Sequence, residues 1–280
     1  MCTTRKSSFE DQMELEQLEV VSRCIGQTLT PQERSNLELG MLKRSATETF
    51  QSLRFWGRIS GEAQDYLICV AVMPGKDYPK KKFYFCSNSS PELQQFPQLN
   101  KKKSAMAAAL TSRLKGDPTF LLSDSGEPQN QEDGEAPFCE LDRLAYIVEE
   151  IDHATSVVPL GAFVVSPMHQ VIANPSFHGL TWDQSLQLYN FFHFRQPDLP
   201  ERAQIIENAE GLVRAGDFFD PLIQDLDGAW VITKDNTGAY TTLRNYVYPG
   251  AFCFHRPESV HYGSVYFGDG RKNPDIAFMI

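Results

Sequence analysis

The stretch "LRFWGRISGEAQDYLICVAVMPGKDYPKKKFYFCSN", Leu53–Asn88, is where the hydrophobic period of the chain changes. Its segments "LRFWGRIS", "DYLICVAVM" and "KKFYFCSN" are rich in aromatic and β-branched residues, and the short breaks "GEAQ" and "PGKDYPK" separate them. Alternating or continuous apolar runs of this length, bounded by Gly and Pro, predict a three-stranded meander.

Upstream, the pattern is helical. In residues 9–25, Phe9, Met13, Leu18, Val21 and Cys24 recur at near-helical spacing, and five acidic residues fill the other face. A second helix is expected from Pro31 to about residue 50, because Thr30, Pro31 and Glu33 spell an N-cap, a first-turn proline and a capping box. Downstream of the meander, "LNKKKSAMAAALTSRLKGDP" is a helix former in its middle, and Gly116 with Asp117-Pro118 predicts its stop.

Residues 123–136, "SDSGEPQNQEDGEA", carry five acids and almost nothing to bury, so they read as a surface loop or linker. They divide the chain into an amino-terminal helix (1–30), a helix–meander–helix unit (31–122) and a carboxyl-terminal unit (137–280). A long insertion within one continuous fold would leave the same signature. In the last unit, Leu141, Leu144, Ile147, Val148 and Ile151 form a helical stripe. The segments "VVPLGAFVVS" and "QVIAN" read as strands or extended turns. "TWDQSLQLYNFFHF" repeats the capping box with Thr181 and Gln184 and predicts a helix, and another is expected over 200–213. From Gly228 onward the chain reads as strands around a "DNTG" turn. The expected fold class is α+β: antiparallel sheets with packed helices, in two halves separated by the acidic loop.

With 280 residues, 41% of them apolar, the chain can bury about three quarters of its unfolded surface. No window has the roughly 18 apolar residues of a membrane helix, and the first residues lack the apolar core of a signal peptide. A soluble intracellular protein is the expectation. A net charge of −10 opposes nucleic acid and anionic lipid. The basic runs Lys80–Lys82 and Lys101–Lys103 are expected to be solvated ends of elements. The six cysteines form no CxxC pair or framework, which fits a reducing compartment.

Cys253, His255 and His261 are the metal candidate: a thiolate and two imidazoles, with Cys253 and His255 on one face of a predicted strand. No zinc-finger spacing surrounds them, so packing is the expected role. Asp152 and His153 are adjacent on a helix and diverge, His193 is expected at an aromatic helix end near Arg195, and no G-x-S-x-G elbow is present. The terminal "GDGRKN" lacks the order of a phosphate loop. Gly268 and Gly270 are expected at positive φ, with Asp269 bonding its own turn. No catalytic, cofactor-binding or metal residue is therefore assigned, and no cofactor. The aromatic strings "FFHF", "DFFD", "FYF" and "YVYPGAFCFH" serve either a core or a protein interface.

The strings "SLRFWGRISGEAQDYLICVAV", "RLKGDP", "IDHATSVVPLGAF", "FHGLTWDQSLQLYNFFHFRQP" and "HYGSVYFGDGRKNPDIAFMI" resemble, in content and order, the radial spoke head proteins of motile cilia and flagella. The resemblance runs from about residue 31 to the end. Residues 1–30 match nothing in it, and Tyr248 stands where the family often has tryptophan. The chain's length and its ending at Ile280 favour the shortest member over the longer, acidic siblings four and six. The resemblance implies a non-enzymatic axonemal subunit of the spoke head that relays central-pair contact to the dynein arms. It also implies sibling spoke head proteins four and six, other head subunits and a second copy of itself as partners, with cytoplasm as its place before assembly. It implies a closing strand and turn for the tail, with residues 278–280 packed on the body or a partner.

Overall fold

The computed structural model describes residues 16–73, 78–87, 90–122 and 137–279. Helix α1 (Glu16–Ile25) and helix α2 (Pro31–Thr47) lead into strands β1 (Ser52–Ile59), β2 (Tyr66–Met73), β3 (Lys80–Ser87) and the two-residue β4 (Gln94–Gln95). The capping box forms as expected: the Glu33 amide donates to Thr30 Oγ1 at 3.3 Å, and the Thr30 amide donates to the Glu33 carboxylate at 2.8 Å. Helix α3 (Lys101–Ala109) follows, capped by Asn100. It ends sooner than the sequence predicts, and Leu110 to Gly116 run on as irregular chain.

After residues 123–136, which lie outside the described residues, α4 (Glu140–Thr155) carries the predicted stripe. Leu144, Val148 and Ile151 are fully buried, each contributing about 1.5–3 kcal/mol over an exposed position. Short strands β5 (Val157–Pro159), β6 (Phe163–Val165) and β7 (Val171–Ala173) precede α5 (Trp182–Ser185). The predicted helix over Thr181–Phe194 has its capping box but only one turn. A 3-10 turn, Leu188–Asn190, then delivers the chain to strand β8 (Phe191–His193), which pairs with β5. Tertiary pairing overrides local helical pattern here, because both faces of "FFH" are covered and all three residues are buried.

Helix α6 (Pro200–Glu207), strand β9 (Val213–Arg214) and helix α7 (Ala215–Phe218) lead to the carboxyl-terminal strands. These are β10 (Trp230–Lys234), β11 (Thr241–Asn245), β12 (Ala251–His255) and β13 (Tyr262–Gly268), followed by α8 (Ile276–Met279). The architecture is α+β with mostly antiparallel strands, as expected. Strands from before and after the acidic segment share one eight-stranded sheet, ordered β10-β11-β12-β13-β1-β2-β3-β4. The last strand of the chain is therefore internal, antiparallel to β12 and parallel to β1.

Helices cover both faces of this sheet. Leu18, Val21, Leu37 and Met41 of α1 and α2 pack on the face that carries Phe55, Cys69, Tyr84 and Phe254. Helix α4 packs on the other face, against Trp56, Ile68, Val70 and Tyr266. Two covered faces explain why β2 reads as a continuous apolar run rather than an alternation. The β5–β8 pair extends the second layer over β10, β11 and β12, and the sheet β7-β6-β9 packs with α6 and α7 in a satellite core. Phe191, Phe192, Phe194, Phe218 and Phe219 lie in these cores, so "FFHF" and "DFFD" serve packing rather than an exposed contact.

Candidate functional site

Two buried carboxylates fasten α4 to the sheet. Glu140, at the helix start, accepts from the Tyr66 hydroxyl at 2.6 Å and from the amides of Lys115, Gly116 and Asp117 at 2.6, 2.7 and 3.2 Å. Three successive amides can converge only because Gly116 adopts φ +90°, so the string "RLKGDP" builds an internal anion nest. Burial, followed by the Glu140 carboxylate, pushes the Tyr66 hydroxyl far up, which keeps it a donor. Near the helix end, Asp152 accepts from Trp56 Nε1 at 3.1 Å and from Lys81 Nζ at 2.5 Å. Lys81 also donates to Ser156 Oγ and to the Phe194 carbonyl, both at 3.0 Å, and lies over the Phe194 ring. Burial lowers its pKa, with Asp152 opposing. Lys81 is thus a correction to the expected solvated run. Lys103 is another, since it pairs with buried Asp142 at 2.8 Å. Sequence reading missed both fastenings; the glycine in "RLKGDP" was the available signal for the first, and the second had none.

The metal candidate does not converge. Cys253 and His255 share the strand face that packs on Leu180, Phe191 and Leu222, where His255 Nε2 accepts from the Leu180 amide at 3.0 Å. The His261 ring instead lies 5.4 Å from Phe254 and 6.1 Å from Tyr240, on the opposite face. Burial pulls the His255 pKa down to about 4 and pushes the Cys253 thiol up. Among the described residues, no group of three or more His, Cys, Asp or Glu is placed to hold a metal ion.

His193 sits on a strand, not a helix end. Its Nε2 meets Asp225 at 2.9 Å, and Trp230 Nε1 donates to the same carboxylate at 2.7 Å. Burial alone would raise the Asp225 pKa, but His193, Trp230 and Arg195 together bring it below the usual range. Asp152 and His153 diverge as predicted, since His153 turns outward to Asp198 and Arg195.

The terminal "GDGRKN" forms a turn in which Asp269 accepts from the Arg271 amide at 3.1 Å, as expected, and Gly270 has φ +78°. Gly268 does not adopt positive φ. It is glycine for space, because a Cβ there would fall 2.4 Å from the Tyr266 hydroxyl. The turn lines a groove of about 1110 Å³ with Tyr146, Ile147 and Tyr248. Phe278 is 89% exposed and therefore not packed on the body, while residue 280 lies outside the described residues.

Near β10, the 3-10 turns Leu188–Asn190 and Leu222–Gln224 leave Tyr189 and Ile223 more than half exposed, and Leu226 in the loop before β10 is equally exposed. Clustered exposed apolar side chains mark contact surfaces. Glu140 and Asp152 thus fasten α4 to the sheet, and exposed apolar side chains lie near β10.

No family profile matches the chain. It is 34% identical over 264 residues to "Radial spoke head protein 9 homolog" of Danio rerio, covering 91% of this chain and 94% of that protein. The proteins of the same name from Homo sapiens and Bos taurus are each 30% identical, over the same shares of both chains. The chain belongs to the radial spoke head protein 9 family.

Proposed function

We propose that this protein is a structural, non-enzymatic subunit of the axonemal radial spoke head, and that it relays contact with the central pair toward the dynein arms. The observation that carries this reading is the similarity across 91% of the chain to proteins named for the spoke head. The polar geometry supports it, because the buried carboxylates are occupied by Tyr66, Lys81 and backbone amides rather than turned toward a reaction space. Its partners in this reading are spoke head proteins four and six, other head subunits and a second copy of itself, without nucleic acid or membrane. Its place is the axoneme of motile cilia and flagella, after a cytoplasmic stage. No catalytic, metal or cofactor residues are assigned.

The test is recovery of the tagged protein from salt-extracted axonemes of ciliated cells, with identification of the proteins that accompany it. Co-purification of the spoke head siblings is expected. A protein that stays in the cell body without them would overturn the reading.

A further inference from the structure

We draw no further inference here: the strongest candidate, the groove of about 1110 Å³ between α3, α4 and the turn at 268–274, is lined by Arg143 and Lys272 as well as by Glu150 and Asp269, so its charge selects no occupant, and nothing in the structure shows what covers it.

Discussion

The seam between β1 and β13 and the rim at β10 are both strand flanks, yet the chain treats them in opposite ways. At the seam, Gly57 lies so close to β13 that a Cβ would stand 2.3 Å from the Tyr266 carbonyl oxygen, and Trp56 beside it is tied to Asp152. That flank accepts one neighbour from some two hundred residues away and no other. At the rim, β10 has a sheet neighbour on one side only. A flank that must be unique is specified by close approach and by buried polar partners. One that pairs on a single side needs only to stay extended.

The sharpest way to break the seam is Asp152→Ala, which leaves Lys81 buried without its carboxylate. A loss of about 3–5 kcal/mol in urea unfolding is expected. Lys81→Met in the same background should recover much of it, since removing both charges ends the desolvation cost of the orphaned ion. If the single variant costs less than about 1 kcal/mol, the pair does not hold α4 to β1 and β3.

A pH titration tests whether the sheet face flanking the seam is as closed as it looks. The folded-state pKa of His255 is depressed from 6.5 to about 4. Its contribution is therefore fully present above pH 6.5 and is lost as pH falls toward 4, where the unfolded chain takes up the proton first. The loss approaches about 3 kcal/mol. His255→Gln can still accept from the Leu180 amide and does not titrate, so wild type should lose stability relative to the variant only within that window. A difference flat from pH 7 to 4 would mean the ring is reached by water.

Gly57→Ala probes the close approach itself. The new methyl meets backbone rather than a side chain that could turn away, so a cost of about 1–3 kcal/mol is expected from thermal unfolding. A neutral outcome would show that the seam gives by several tenths of an ångström without penalty.

How much of this was readable beforehand depends on how local each signal was. The Thr30–Glu33 box, the α4 stripe and the strands of Leu53–Asn88 all formed, because caps and periodicity act within a few residues. The helix expected over Thr181–Phe194 shrank to one turn because its aromatic half pairs with β5, a contact about thirty residues back that no local pattern carries. The parallel β1–β13 seam was likewise invisible, since Gly57 signals close approach but not to what. Cys253 and His255 were correctly placed on one strand face, whereas His261 follows a turn and returned to the other. Lys81 looked like a solvated lysine among three, and only the fold brings Asp152, Ser156 and Phe194 to it.

The smallest stability effect belongs to the rim, and its smallness is the point. Ile223 and Leu226 are 57% and 56% exposed, so replacing both by Asp removes little burial and should shift unfolding by no more than about 0.5 kcal/mol. A loss above about 1 kcal/mol would instead show that these side chains pack on the body, and the rim would then be as closed as the seam.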